Sequence, residues 1–216
     1  MTDRMTARQF HDAEGVGDWR VLFDGACAYF DTGSFATGVA LVAEIGRLAD
    51  EVNHHPDVDL RYPGVTVRLW THDVEGLSHR DVALARQISA AARDLGISAD
   101  SGPLQCYNLT VDALVPVNVR PFWAALLGYR AGADDDLVDP RGRGPSVGFQ
   151  IMDTARTQRN RVHLDVSVPH DQAEARIAAA LAAGGRMVST EHAPAWWVLA
   201  DMEGNEACVA TWQGRD

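Results

Sequence analysis

The chain has 216 residues, of which 46% are apolar, and a net charge of −11, which fits one large globular domain or two small ones. The negative charge would repel a phosphate backbone, so nucleic acid is not an expected partner. All 19 basic residues are arginines, which excludes chemistry that needs a Schiff-base lysine or a P-loop lysine.

The first predicted elements are a short helix, a hairpin and a long helix. The short helix lies near Thr6–Ala13, and the alternating residues 19–30 predict the hairpin. Behind Ser34, which can cap a helix, apolar residues recur at three- and four-residue steps and predict a helix over 35–53. Pro56 prevents its continuation. The predicted apolar stripe of this helix consists of Val39, Val42, Ile45, Ala49 and Val52.

A second hairpin and a final helix complete the first hundred residues. The hairpin strands are Val58–Tyr62 and Val65–His72, so that His72 ends a strand. Ser78 and Asp81 have the spacing of a capping box, which begins the next helix. Its predicted apolar stripe consists of Val82, Ala85, Ile88, Ala92 and Leu95. The element order predicts an α+β domain with an α-β-β-α-β-β-α fold over residues 1–100.

A linker is predicted at residues 101–105, and the strand-helix-strand order then occurs twice in residues 106–216. The first copy has a strand at 106–113, a helix at 119–127 and a strand at 146–152, with an acidic and Gly/Arg-rich loop at 134–145. The second copy has a strand at 162–168, a helix at 172–183 and strands at 196–201 and 207–212. The pattern indicates a weak internal repeat of two βαβββ-like modules.

Three of the eight histidines, His54, His55 and His72, lie within 19 residues. Imidazole is the side chain that ionises nearest to neutral pH, so the cluster indicates proton transfer or a metal site. Three histidines can hold zinc, but adjacent His54 and His55 would have to point the same way, and the HExxH arrangement is absent. We therefore favour proton transfer, with surface or capping roles as the alternative.

The histidines belong to a longer spaced pattern: Asp50-x3-His54-His55-Pro56-x5-Tyr62-x9-His72-x8-Asp81. This pattern resembles the signature of the pterin-4a-carbinolamine dehydratases, and the resemblance covers about residues 10–95. It implies loss of water from 4a-hydroxytetrahydropterin to give quinonoid dihydropterin, without a metal or a cofactor. A pterin is then the expected small-molecule partner.

The resemblance also implies that His54, His55 and His72 are the catalytic residues. We expect His54 and His72 to be the proton-transfer pair, and His55 to bind or orient the pterin. General acid–base catalysis of this kind contributes ~10²–10⁴-fold.

Four charged residues near the histidines are candidate substrate-binding residues. Asp50 or Glu51 could orient an imidazole, as a carboxylate does in a catalytic triad. Arg80 could contact polar atoms of the substrate. For these three, a solvated surface role is the alternative, and for Asp81 a capping role is favoured over a chemical one.

The second half resembles the glyoxalase/vicinal-oxygen-chelate family. Residues 119–129 resemble its glycine-terminated helix, and residues 201–206 resemble its late DPxGN turn, with Met202 in place of proline. The resemblance implies two βαβββ modules over about residues 105–213. Many members bind a divalent metal, but here the first strand lacks the usual histidine and Glu206 comes early, which leaves His163 as the one well-placed ligand. We therefore expect no metal.

The remaining expectations concern location, assembly and an alternative function. The three cysteines are widely spaced, and neither a signal peptide nor an apolar run of ~20 residues is visible, so we expect a cytoplasmic protein without membrane contact. The resemblances and the open hairpin edges predict a homo-oligomer. The alternative places activity or small-molecule binding in the glyoxalase-like half, as a metal-dependent lyase or dioxygenase or as a sequestering module, with a regulatory first half.

Overall fold

The structure is a computed structural model that describes residues 4–23, 25–132, 135–155, 164–211 and 213–214. The chain divides into two compact units, residues 1–106 and residues 107–216. Residues 101–108 contain neither helix nor strand. The domain boundaries at 100 and 106 and the linker at 101–105 stay predictions. Within the described ranges, no helix has the length and apolar character needed to cross a membrane.

The first unit packs helices against an antiparallel sheet. Its helices are α1 (Ala7–His11), α2 (Phe35–Val52) and α3 (His79–Asp94). Its strands are β1 (Arg4–Met5), β2 (Arg20–Leu22), β3 (Gly25–Asp31), β4 (Asp57–Arg61), β5 (Gly64–Leu69), β6 (Leu77–Ser78) and β7 (Ser98–Ala99). The sheet has the order β2-β3-β5-β4, β7 also pairs with β3, and β1 pairs with β6. The predicted α+β class is confirmed, and the predicted order is that of α1, β2, β3, α2, β4, β5 and α3; the short strands β1, β6 and β7 are additional.

The buried face of α2 differs from the predicted one. The helix buries Leu41, Ile45 and Leu48, whereas Val39 and Val52 are 47% and 45% exposed. The predicted stripe is therefore wrong at these two valines. The sequence has apolar residues on adjacent faces of the helix, so periodicity alone did not fix which face meets the sheet.

The segment after β5 corrects the placement of His72. The strand ends at Leu69, Thr71 forms an isolated bridge with Gly76, and His72 begins a short 3-10 helix, His72–Val74. The prediction that His72 ends a strand is wrong, because the backbone turns back on itself between Thr71 and Gly76 and cannot continue the ladder. Their N–H and C=O groups pair in both directions, at 2.9 and 3.3 Å.

The second unit contains two copies of one topology. The first copy comprises β8 (Leu109–Ala113), α4 (Pro116–Leu127), β9 (Arg130–Ala131), β10 (Leu137–Val138) and β11 (Val147–Ile151). The second comprises β12 (Asp165–Ser167), α5 (Ala173–Ala182), β13 (Arg186–Ser189), β14 (Trp196–Ala200) and β15 (Glu206–Ala210).

In each copy the first strand pairs in parallel with the last, and the sheet orders are β8-β11-β10-β9 and β12-β15-β14-β13. The two predicted βαβββ modules are confirmed. The predicted loop at 134–145 was wrong at Leu137–Val138, which form β10. The outer ends of two predicted strands, residues 162 and 212, lie outside the described residues.

Candidate active site

The end of α2 separates the two adjacent histidines. Asn53 takes a left-handed conformation, with φ 47° and ψ 47°, which asparagine tolerates better than most residues. The His54 N–H then donates to the carbonyl of Ala49 at 3.1 Å, which closes the helix. His54 is buried and His55 is exposed after this turn. One backbone reversal thus gives the two imidazoles different environments.

His54 pairs with a buried carboxylate from the other long helix. Its Nε2 lies 2.7 Å from Oδ1 of Asp81, and the two residues are 6% and 0% exposed. The other carboxylate oxygen, Oδ2, accepts the Thr71 hydroxyl at 2.6 Å and the Ser78 N–H at 2.7 Å. Both carboxylate oxygens of Asp81 are thus engaged in hydrogen bonds, one with His54 and the other with two donors around the start of α3.

Asp81 has two roles at once. It is the third residue of α3, and with Ser78 it forms the predicted capping box. A carboxylate there also lies in the positive field of the helix N-terminus. The same side chain is the partner of His54, so capping and a role at the imidazole do not exclude each other.

The second ring nitrogen of His54 is available. Among the described residues, Nδ1 has no hydrogen-bonding partner, yet it is not one of the fully buried side-chain atoms without a partner. It therefore reaches solvent, although the residue as a whole is buried. Such a nitrogen can accept or donate a proton at the protein surface while Nε2 stays fixed.

His72 and Arg80 lie next to this hydrogen-bond network. His72 is exposed and follows Thr71, whose hydroxyl touches Asp81. Arg80 donates through its Nη2 to Asp73 at 2.6 Å, so the 3-10 turn is also bound to the start of α3. His72 and Arg80 are therefore the chain neighbours of two members of the network, Thr71 and Asp81.

The other predicted site residues lie on the exposed end of α2. His55 Nε2 is 3.0 Å from Asp50 Oδ1, and the two side chains are 58% and 82% exposed. Glu51 instead forms an ion pair with Arg47. The hydrogen bonds that Arg47 donates to Glu44 and Glu51 raise the pKa of Arg47. Asp50 thus forms a hydrogen bond with the His55 imidazole, whereas Glu51 pairs with Arg47.

No group of histidine, cysteine, aspartate or glutamate residues within the described ranges has the arrangement of a metal site. His163, the candidate metal ligand of the second unit, lies outside those ranges. The absence of a metal therefore stays a prediction.

The turn at residues 201–206, which resembles the glyoxalase motif, is held together by hydrogen bonds to Asp201. Asp201 is 0% exposed and accepts from the backbone N–H groups of Glu203 and Asn205, from the Asn205 amide at 2.8 Å and from Trp123 Nε1 at 3.0 Å. Glu203 in turn accepts N–H groups at the start of α4. These residues fix the turn between β14 and β15 against α4, which is a structural task.

Sequence reasoning missed Thr71 and Ser78 as parts of the site. Both sit beside recognised features, since Thr71 precedes His72 and Ser78 begins the capping box. Their contact with each other, at 2.8 Å between hydroxyl oxygens, depends on the return of the chain between Thr71 and Gly76. The residue types gave no signal for that return.

Comparison with known proteins identifies both halves. The family model for pterin 4 alpha carbinolamine dehydratase matches residues 2–91, and the model for a glyoxalase-like domain matches residues 108–210. A protein of Nocardia farcinica, provisionally named a pterin-4-alpha-carbinolamine dehydratase, is 37% identical over 93 residues, which are 43% of this chain and 95% of that protein. The chain belongs to the pterin-4-alpha-carbinolamine dehydratase family. It carries a glyoxalase-like domain after its dehydratase domain.

Other similar proteins cover one half of the chain at a time. A protein of Herpetosiphon aurantiacus with the same provisional name is 39% identical over 70 residues, which are 32% of this chain and 73% of that protein. A transcriptional coactivator/pterin dehydratase from Brucella melitensis covers 41% of this chain and 98% of its own, with 26% identity and a TM-score of 0.39. The match to a glyoxalase/bleomycin resistance protein from Albidiferax ferrireducens covers 49% of this chain and 97% of that protein, with 20% identity and a TM-score of 0.40.

Proposed function

We propose that the dehydratase domain removes water from 4a-hydroxytetrahydropterin and releases quinonoid dihydropterin, which returns the pterin to its recycling route. The observation that carries this proposal is the buried His54–Asp81 pair with a solvent-reachable Nδ1, in a chain of the dehydratase family. The pair has the parts that a general base needs: a fixed orientation, a carboxylate that stabilises the imidazolium, and an available nitrogen.

The reaction needs two proton transfers and breaks one carbon–oxygen bond. In the proposed mechanism, His54 Nδ1 accepts the proton of N5 while the protonated His72 donates a proton to the 4a-oxygen. The C4a–O bond breaks, water leaves, and the N5–C4a double bond forms. His54 then carries the extra proton and His72 lacks one, so proton exchange with solvent restores the starting states. No electron is gained or lost, and the proposal requires neither metal nor cofactor.

The exposed residues around the pair are proposed to hold the substrate. We expect His55, whose Nε2 lies 3.0 Å from Asp50 Oδ1, to contact the flat pterin ring or its polar edge. Arg80 is already joined to Asp73 and is 42% exposed, so its remaining donors can reach a substrate carbonyl. Asp81 contributes through His54 and not by direct contact, because it is fully buried.

The test is the rate of dehydration of freshly generated 4a-hydroxytetrahydropterin by the whole chain, compared with the spontaneous rate. We expect acceleration that persists in excess EDTA, because the proton transfers use only side chains. A rate equal to the spontaneous rate would contradict the proposal. Activity that EDTA abolishes would point to a metal-dependent reaction and reject the histidine mechanism.

A further inference from the structure

We propose that Thr71 and Ser78 are positioning residues for the dehydration. Their hydroxyl groups hold the Asp81 carboxylate so that His54 keeps its proton on Nε2 and presents an unprotonated Nδ1. The inference rests on the proposed function of His54 as a proton acceptor, and it adds two residues whose hydroxyl groups act through Asp81.

Counting protons gives the hydrogen bonds of the network a direction. The single hydroxyl proton of Thr71 is donated to Asp81 Oδ2 at 2.6 Å. The 2.8 Å contact between Thr71 Oγ1 and Ser78 Oγ must therefore use the proton of Ser78. Ser78 Oγ in turn accepts the backbone N–H of Arg80 at 3.1 Å. The chain of donors runs from the start of α3 through two hydroxyls to the carboxylate, and each hydroxyl both donates and accepts.

Burial makes this order hard to disturb. Thr71, Ser78 and Asp81 are 1%, 0% and 0% exposed, so water cannot readily replace a lost partner. A rotation of the carboxylate would break the bonds from Thr71, from the Ser78 backbone and from His54 together. Asp81 therefore presents Oδ1 to His54 in one orientation, and the imidazole is held in one tautomer.

Helix capping alone does not explain why the Thr71 hydroxyl donates to Asp81. The capping box needs only Ser78 and Asp81, which satisfy each other's side-chain and backbone groups. Thr71 lies before the 3-10 turn, where its backbone pairs with Gly76, and its hydroxyl is an additional donor to an oxygen that the cap already uses. The residue that follows it is His72. One short loop thus supplies the donor that orients the His54–Asp81 pair and the second proposed proton carrier.

The test combines nitrogen NMR with kinetics on the whole chain. Thr71→Val keeps the size of the side chain and removes the hydroxyl, and Thr71→Ser keeps the hydroxyl. In ¹⁵N-labelled protein, with the His54 signals assigned by their loss in His54→Gln, we expect the Nε2–H tautomer of neutral His54 in the wild type and in Thr71→Ser. In Thr71→Val we expect a tautomer mixture, with kcat lowered roughly tenfold, the scale of one hydrogen bond, and KM within about twofold.

The outcomes separate this inference from the proposed function. A folded Thr71→Val chain with a single wild-type tautomer and unchanged kcat overturns the positioning role. If that variant does not fold, Ser78→Ala supplies the same test, because it removes the donor to Thr71 Oγ1; an unchanged tautomer and kcat there likewise overturn the role. A wild-type chain that does not accelerate dehydration overturns the proposed function, and the kinetic part of the inference with it, whatever the NMR signals show.

Discussion

The two ring nitrogens of His54 have different surroundings. Nε2 faces the buried Asp81 carboxylate at 2.7 Å, while Nδ1 has no partner in the described part of the chain and reaches solvent. An imidazole held in this way exchanges protons at one end and is oriented at the other. His55 and His72, by contrast, are exposed.

Replacing the histidines one at a time should separate proton transfer from binding. We expect His54→Ala and His72→Ala each to lower kcat by ~10²-fold or more, because each removes a general acid or base. His55→Ala should mainly raise KM, because its role is to hold the pterin. Steady-state kinetics on the whole chain measure both quantities.

The matched control is His192→Ala, which removes an exposed histidine of the second unit. It should leave kcat and KM as in the wild type. Near-wild-type turnover in both His54→Ala and His72→Ala would reject the proton-transfer pair. A loss confined to His55→Ala would move the chemistry to the exposed His55–Asp50 pair.

The buried Asp201 gives a prediction on stability. In Asp201→Ala, the buried Trp123 Nε1–H loses its acceptor, which costs about 1–3 kcal/mol, and the half-buried Asn205 amide loses one of its two acceptors. We expect the free energy of unfolding of the second unit to fall by about 3 kcal/mol, measured by denaturant titration. Asp153→Ala, at an exposed carboxylate of the same unit, should change it little. Equal effects of the two substitutions would show that the Asp201 cluster is not a structural anchor.

At the level of single residues, the candidate site was predicted mainly from the spacing of residues close together in the sequence. His54, His55 and His72 stood out because their spacing with carboxylates is unusual, and the capping box of α3 was visible from Ser78 and Asp81. Contacts between residues far apart in sequence were not visible. Asp81 and His54 form a hydrogen bond although they are 27 residues apart in sequence, and Trp123 and Asp201 do so at a separation of 78 residues. Such pairs depend on how whole elements pack.

Among helices and strands, the bounds of a long helix were predicted better than its buried face or the shortest strands. The predicted helix at 35–53 is observed at Phe35–Val52, because a cap, a periodic run and a proline all act locally. The choice of its buried face was wrong at Val39 and Val52, because two adjacent faces are apolar. Short strands such as β9 and β10 have two residues each, too few for an alternation to appear.

Two glycines, one between α5 and β13 and one within α2, test how closely the elements pack. A Cβ at Gly185 would lie 2.3 Å from the Phe122 ring and 2.8 Å from the Ala180 carbonyl, whereas a Cβ at Gly46 in α2 would meet nothing within 4 Å. We expect Gly185→Ala to destabilise by about 1–3 kcal/mol through overpacking. Gly46→Ala should stabilise by about 0.5–1 kcal/mol through helix propensity.

Thermal unfolding of the two glycine variants measures both effects. An unchanged or raised Tm in Gly185→Ala would mean that α5 and β13 can move away from Phe122 at little cost. A lowered Tm in Gly46→Ala would mean that this face of α2 is covered in solution.

For the whole molecule, two separately recognisable domains lie in one chain. The Nocardia farcinica relative is matched over 95% of its length by 43% of this chain, so it is about the size of the first unit alone. A dehydratase domain of this family therefore exists without a glyoxalase-like partner. Within this chain, the structure likewise divides into compact units at residues 1–106 and 107–216.

We propose α2 as the contact surface of the predicted homo-oligomer. Phe35 and Val39 are 51% and 47% exposed on this helix, four positions apart. We expect light scattering at micromolar concentration to give a mass above that of one 23.4 kDa chain. Val39→Glu should lower that mass, since it places a charge in the proposed contact.

Gln87→Glu, at an exposed position of α3, is the control and should leave the mass unchanged. A monomeric mass for the wild-type chain would contradict the oligomer. An oligomer that resists Val39→Glu would place the contact elsewhere.

The dehydration rate of the two units prepared separately tests the central claim most directly. We predict that residues 1–106 accelerate the loss of water from 4a-hydroxytetrahydropterin about as well as the whole chain, and that residues 107–216 leave the spontaneous rate unchanged. The reason is that His54, His72, Asp81 and their supporting hydroxyls all lie within the first unit. Acceleration by residues 107–216 alone, with none by a folded first unit, would contradict the account.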